Sequence, residues 1–415
     1  MNDRMKFDPV AISAYTATTS VGRGHGALLN ALRTRHSGLK RYEARRDFAA
    51  DAPWREGGPA LDTWIGEVEG LQSIELPEAL SRYDCRNNRL AWLGLHQDEF
   101  VARAREAVAR YGAARVAVII GTSTSGIAHA ESAYRARDAA GRLPESFSYA
   151  TTLNNFSAPA LVAHAIGATG PTLAISTACS SSAKVFASAA RLMRAGWIDA
   201  AIVGGVDSLC LTTLCGFSSL ELLSPDPCRP FDRARRGISI GEGAGFAMLE
   251  ARADAPAYLL GAGESSDAHH MSTPHPEGLG AQLAMRGALD SADLSPAAVN
   301  YINLHGTATR SNDPAEGRAV AAVFGDTASS STKGWFGHLL GAAGIVESIV
   351  ALLALEHAIV PGTLNTIDLD PECPNTVLLD NETREIDVAL SNSFGFGGSN
   401  CSVVFGRKRK PRTLS

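Results

Sequence analysis

The 415-residue sequence contains no run of twenty uninterrupted apolar residues, no Cys-x-x-Cys pair, no Walker A motif and no excess of basic side chains. Each absence removes a class of function. The longest apolar candidate, residues 342–360, is broken by Glu347 and Glu356, which marks a buried helix and not a membrane span. Lys and Arg number 38 against 43 Asp and Glu, a formal charge of −5, opposite in sign to what a domain-wide nucleic-acid surface needs. Seven scattered cysteines fit neither a disulfide framework nor a structural zinc site. They read as small buried hydrophobes of a reducing compartment, with one available as a nucleophile. Residues 241–245 (GEGAG) lack the G-x-G-x-x-G spacing, so nucleotide binding is set aside. The opening Met-Asn-Asp-Arg lacks the basic-then-apolar order of a signal peptide, and a cytoplasmic location is expected.

What is present is an α/β pattern. With 45% apolar and 20% charged residues the chain has the balance of a globular protein, and its length calls for two or three domains or one two-part unit. Short β-branched runs alternate with alanine-rich helical stretches. Residues 115–122 (RVAVIIGT) are apolar throughout, as a strand covered on both faces should be. Two further buried strands, 171–176 and 200–204, flank a helix expected from about Cys179 to Ala195 and stopped by Gly196. A polar connector follows Glu250, and a second series of strands and helices runs from residue 257 to 405. The division is into two successive α/β halves, 1–254 and 255–415, with no close repeat between them. The last ten residues carry five basic side chains and read as a solvated tail.

Cys179, in Ser-Thr-Ala-Cys-Ser-Ser-Ser, stands between a strand and a helix. A helix N-terminus lowers a thiol's pKa, and small neighbours leave room for a carbonyl at the sulfur. Backbone N–H groups at such a turn can form half of an oxyanion hole. A buried structural cysteine is the competing reading. Two histidines sit in glycine-punctuated turns: His305 in Asn-Leu-His-Gly-Thr-Ala-Thr, and His338 in Gly-His-Leu-Leu-Gly-Ala-Ala-Gly. Lys333 lies five residues before His338, close enough to bias its protonation or to orient a carboxylate. Residues 391–400 (SNSFGFGGSN) are either a glycine-rich hairpin or a mobile loop with two phenylalanine gates.

Together these segments resemble the β-ketoacyl-acyl-carrier-protein synthases, condensing enzymes of the thiolase superfamily. The resemblance spans roughly residues 10–406 and rests on four motifs in order: those at Cys179, His305, Lys333 with His338, and 392–400. It implies a thiolase-like five-layer α-β-α-β-α fold built from two related halves. It implies Cys179 as the acyl-carrying nucleophile, with His305 and His338 binding the malonyl thioester carbonyl and its enolate. The backbone N–H groups of Cys179 and Phe396 would form the oxyanion hole, with Phe396 also gating the acyl cavity. Lys333, Glu347 and Asp313 match supporting positions, as do Thr307, Thr309 and Phe394. A structural monovalent cation near Asn303, Glu347, Ser391 and Asn392 is also implied. Beyond that the resemblance implies no metal and no redox cofactor, because the substrates ride on the phosphopantetheine arm of an acyl carrier protein. The implied assembly is a homodimer, or a heterodimer with a chain-length-factor-like paralogue.

Arg310 and Asn312 stand where housekeeping fatty-acid enzymes carry Pro and Gly, a form more similar to aromatic-polyketide synthases. Residues 121–126 and 86–89 are similar to aryl-polyene condensing enzymes. The expected reaction is a decarboxylative Claisen condensation giving a 3-oxoacyl carrier protein, in polyketide or aryl-polyene synthesis. Fatty-acid elongation is the alternative. A coenzyme A-dependent thiolase would want a second catalytic cysteine, for which Cys373 and Cys401 are poorly placed, and a silent partner subunit would lack the nucleophile.

Overall fold

The structure, a computed structural model, describes residues 8–44, Phe48 and 59–407. The basic tail beyond Arg407 lies outside the described residues. Five strands of the first half are β1 (Val10–Thr19), β2 (Val116–Gly121), β3 (Thr172–Ile175), β4 (Ala200–Asp207) and β5 (Gly243–Glu250). Those of the second are β6 (Ala257–Ser266), β7 (Tyr301–Asn303), β8 (Ser329–Ser330), β9 (Val388–Gly395) and β10 (Ser399–Arg407).

The strand path runs β8-β7-β9-β10-β6-β1-β5-β4-β2-β3. Counted within each half, the order is first-fifth-fourth-second-third both times. The pairing senses repeat as well: the first, fifth and fourth strands pair antiparallel, and the fourth, second and third pair parallel. The halves are therefore one topology used twice, although no repeat is legible in the residues. They join where Val10, Ala11 and Ile12 pair with Leu259, Tyr258 and Ala257.

Nine helices fill the layers used here: α1 (Arg86–Leu95), α2 (Phe100–Tyr111), α3 (Ile127–Arg135), α4 (Ser157–Ile166), α5 (Ser181–Arg194), α6 (Leu211–Ser219), α7 (Leu279–Ala292), α8 (Asn312–Phe324) and α9 (Ala343–His357). Helices α5 and α9 each touch strands of both halves and one another, so they form the central layer. Helices α1, α2 and α4 cover the outer face of the first sheet, and α7 covers that of the second with α8 beside it. The result is five layers, α-β-α-β-α.

Helix α9 is apolar all round because both its faces are covered; every residue from Ala343 to Leu355 is buried. The apolar stretch Leu340–His357 is long enough to cross a membrane, yet 89% of it is buried inside this fold. Strand β2 is fully buried, as its unbroken apolar run requires. Strand β3 is different. Sequence points to a strand buried on both faces, but β3 is a sheet edge, half-exposed along its length, with Leu173 facing out.

Candidate active site

Cys179 follows β3 by four residues and precedes α5 by two. The turn is held by its own hydroxyls: Ser181 Oγ accepts the Thr177 N–H at 2.9 Å and donates to the Ala178 carbonyl, while Ser180 Oγ donates to the Thr177 carbonyl. Ala178 takes a left-handed φ of 53°, which a bulkier or β-branched side chain would resist. Opposite, Gly395 comes so close that a Cβ on it would lie 2.7 Å from the Thr177 carbonyl oxygen. This approach lets the Phe396 N–H donate to the Cys179 thiol.

His305 leaves the end of β7, and its backbone is gripped from both sides. The Glu316 carboxylate on α8 accepts the N–H groups of His305 and Gly306 at 2.8 and 2.7 Å. Lys333 Nζ donates to the His305 carbonyl and pairs with Glu347, on α9. Asp313 accepts the N–H groups of Phe231 and Ala308 and faces Arg235, which fixes the next turn. His338 is threaded between strand segments: its N–H donates to the Ser239 carbonyl, and its carbonyl accepts the Gly241 N–H.

These turns meet. His338 Nε2 lies 3.0 Å from Cys179 Sγ, and ligand atoms of Cys179, His305 and His338 all fall within 4.8 Å of one another. The two imidazoles sit edge to face at 5.3 Å, and the Phe394 ring stands against His305 at 5.9 Å. All three groups are buried.

Burial dominates their electrostatics. It pushes the Cys179 thiol up to about 12, against the opposing pull of the Lys333 charge and the Phe396 N–H. Sequence alone expects a helix-activated thiolate; the helix starts two residues later, and desolvation outweighs its field. Burial also holds both histidines well below the usual range, and the Lys333 ammonium adds to this, so they are neutral at pH 7. The resting pair is a thiol beside a neutral imidazole. Sequence assigns both histidines to the malonyl half alone, whereas His338 also touches the thiol.

A cleft leads from Cys179 to solvent. Thr307 and Thr309 line it with hydroxyls 2.9 Å apart, and Leu220, Leu222 and Ile238 line it with apolar surface. The exposed Phe396 ring stands at 5.7 Å from Phe217 on α6, a neighbour that sequence does not single out.

The expected cation site has partial support. Asn303 Oδ1, Glu347 Oε2 and Ser391 Oγ are buried without a partner, and strand register sets Asn303 beside Ser391. Hard oxygens including a carboxylate suit a small cation. Asn392 does not contribute its side chain: it points to the other face of β9, donating towards Glu316 and accepting from Ser402.

Sequence misses Glu316 and Asp207. Glu316 is three residues beyond Asp313, hence on the same helical face, a spacing that could reveal it. Arg86 and Glu242 turn out to be partners in a buried ion pair that also holds Glu67.

Residues 7–255 match the family profile "Beta-ketoacyl synthase, N-terminal domain" and residues 256–366 match "Beta-ketoacyl synthase, C-terminal domain". Nodulation protein E of Rhizobium meliloti is 33% identical over 406 residues, covering 92% of this chain and 97% of its own. The 3-oxoacyl-[acyl-carrier-protein] synthase 2 of Staphylococcus aureus (strain COL) is 38% identical over 259 residues, 58% of this chain and 62% of its own. Among solved structures, the ketosynthase ApeO of Xenorhabdus doucetiae, in complex with its chain length factor ApeC, superposes with a TM-score of 0.85. It is 36% identical, covering 98% of this chain and 99% of that one.

Proposed function

The chain belongs to the β-ketoacyl synthase family and is a condensing acyltransferase, and we propose that Cys179, His305, His338 and the Phe396 N–H divide its reaction as follows. Cys179 Sγ attacks the thioester carbon of an acyl chain on a carrier protein's phosphopantetheine arm. The new S–C bond forms, the arm's C–S bond breaks, and the thiol proton passes through His338 Nε2 to the departing thiolate. The 3.0 Å contact supports this path, since a neutral imidazole can accept the proton of a thiol too buried to ionise alone. The oxyanion lies against the N–H groups of Cys179 and Phe396, an arrangement in which losing one donor costs about 100-fold or more.

In the second half His338 carries its proton on Nε2, shifted from Nδ1 after the first half, and the malonyl thioester carbonyl sits between neutral N–H donors of His305 and His338. The bond to the carboxylate breaks, carbon dioxide leaves, and its electron pair forms the enolate. The enolate carbon attacks the acyl carbonyl on Cys179, and the thiolate leaves and takes a proton from solvent. The product is a 3-oxoacyl thioester two carbons longer. Electrons balance without an outside oxidant or reductant, so we assign no redox cofactor and route no step through a metal. A cation held by Asn303, Glu347 and Ser391 would tie strands β7 and β9 to α9 beside Lys333.

The observation that carries these assignments is the convergence of one sulfur and two imidazoles from three separate turns, within 4.8 Å, on a backbone N–H. For the pathway we propose polyketide or polyene synthesis, which the full-length likeness to ApeO favours over the partial likeness to a 3-oxoacyl synthase. A same-fold partner subunit, identical or chain-length-factor-like, would cover the exposed β3 edge and Leu173. The free cysteines favour a reducing, cytoplasmic compartment. The test gives the protein saturated and polyunsaturated acyl carrier proteins of equal length. Intact mass reads acylation of Cys179, and product release with malonyl carrier protein reads condensation. Faster condensation of the unsaturated chain is expected; preference for the saturated chain, with full activity from this chain alone, would return it to fatty-acid elongation.

A further inference from the structure

The cleft opens to solvent beside a cation that has no partner among the described residues. Ser311 lines the cleft and is exposed, as are Leu220, His270, Thr273 and Phe396, so it stands on the rim of the mouth, and Arg310 next to it is exposed too. The neighbouring arginines are all engaged. Arg229 and Arg236 face Asp226, Arg233 faces Asp368, Arg235 pairs with Asp370, and Arg318 donates to the Pro276 carbonyl. Arg310 has no ion pair or side-chain hydrogen bond among the described residues.

Its position also goes against local preference. Arg310 stands two residues ahead of α8, where the helix presents its positive end and a cation is disfavoured. The nearest carboxylate on that helix, Asp313, is buried and taken by backbone N–H groups and Arg235. An unpaired guanidinium at a helix start contributes nothing to the helix. A residue that breaks a local rule without compensation in the fold points to a ligand.

We propose that Arg310 binds the phosphodiester of the phosphopantetheine arm as the arm enters the cleft. The inference rests on the reading that the substrates ride on that arm. With the thioester at Cys179, an arm that runs past Thr307 and Thr309 and leaves along Ser311 would bring its phosphate end out beside Arg310. The planar fork of a guanidinium suits two phosphate oxygens at once, which a lysine cannot match.

The test compares one acyl group on three carriers: pantetheine without phosphate, free phosphopantetheine, and the holo carrier protein. For each, kcat/KM is measured with the wild type and with Arg310→Ala and Arg310→Lys. In Arg310→Ala the ratio of phosphopantetheine to pantetheine should fall roughly five- to tenfold, the size of one solvent-exposed charge-assisted contact, and the loss should sit in KM. Arg310→Lys should fall between. An equal loss on pantetheine, or no change on any donor, overturns the proposal. So does a loss confined to the carrier protein, which would place the guanidinium on the protein surface and not on the phosphate. If the wild type acylates from none of the three, the arm-borne reading fails first, and that result is distinct from all of these.

Discussion

Asp207 Oδ2, at the end of β4, accepts the backbone N–H of Gly341 at 2.6 Å, three residues beyond His338. The same carboxylate accepts N–H and O–H groups of Thr122, Ser123 and Thr124 at the end of β2. One buried side chain thus ties the turn that carries His338 to the first half's sheet. Gly341 leaves no spare room, since a Cβ there would lie 2.7 Å from Asp207 Oδ2 and 2.8 Å from the Ser123 nitrogen.

Asp207→Asn should therefore impair chemistry as well as stability. The amide NH₂ that replaces Oδ2 would face the Gly341 N–H, donor against donor, at a cost of about 1–3 kcal/mol. Displacing the turn by a fraction of an ångström moves His338, and carbon dioxide release should drop roughly 10- to 100-fold. Gly341→Ala should give the same pattern by pushing from the other side. Thermal unfolding and decarboxylation are measured together; a lowered midpoint with full activity per folded molecule would leave Asp207 a purely structural group.

Glu316 predicts an acid limb in the pH profile. Burial raises its pKa to about 7, against the pull of the Gly306 and His305 N–H groups. Below that pH the carboxyl takes a proton, the new O–H has only donors around it, and the grip on His305 weakens. Condensation should fall as pH drops through about 7. Glu316→Gln should be slower throughout and lose that limb. Stability runs the opposite way: because the folded pKa lies above the unfolded value, Glu316's contribution is fullest below about 4.5 and is lost as pH rises through about 7. Profiles of rate and of unfolding midpoint from pH 5 to 8.5 check both signs.

The two histidines should separate by half-reaction. His338 touches the thiol, so His338→Ala should slow acylation of Cys179 and carbon dioxide release alike. His305 meets His338 and Phe394, and its ring makes no hydrogen bond to the thiol. His305→Ala should accept acyl groups at close to the normal rate and lose decarboxylation by about 100-fold or more. Rapid-quench mass spectrometry gives the first quantity and trapped carbon dioxide the second. Equal losses in both variants would mean the imidazoles act as one unit in both halves.

The three groups that meet in the candidate site are legible because each sits in a short motif at an element boundary, where sequence signals are strongest. Cys179 follows an apolar strand, and His305 and His338 are flanked by glycines that the turns need. What was not legible depends on distant packing. The exposure of β3 follows from its place at the end of the strand order, which no local pattern encodes. The elevated thiol pKa follows from the burial of Cys179, which its sequence neighbours do not encode. Asp207 reads locally as the end of an apolar strand, and its tasks come from distant chain, Thr122–Thr124 before it and Gly341, 134 residues later. Asn303 and Ser391 become neighbours only through parallel pairing across the second sheet.

Lys333 offers a way to divide stability from activity. It is buried against Glu347, also buried, and its ammonium donates to the His305 carbonyl. Lys333→Met leaves the Glu347 carboxylate enclosed without a counter-charge, and breaking such a pair costs about 3–5 kcal/mol. Adding Glu347→Leu removes the stranded charge, and replacing both partners of a buried pair by apolar groups is often neutral. The double variant should regain most of the unfolding midpoint. It should not regain condensation, because the His305 carbonyl still lacks its donor. The Lys333 charge also holds both imidazoles down, so its loss moves their pKa values up. The same charge holds the Glu316 carboxyl down, so the acid limb that Glu316 sets near pH 7 should shift upward in the double variant relative to the wild type. A double variant that refolds to wild-type stability and wild-type rate, with an unmoved limb, would show that Lys333 serves only to neutralise Glu347.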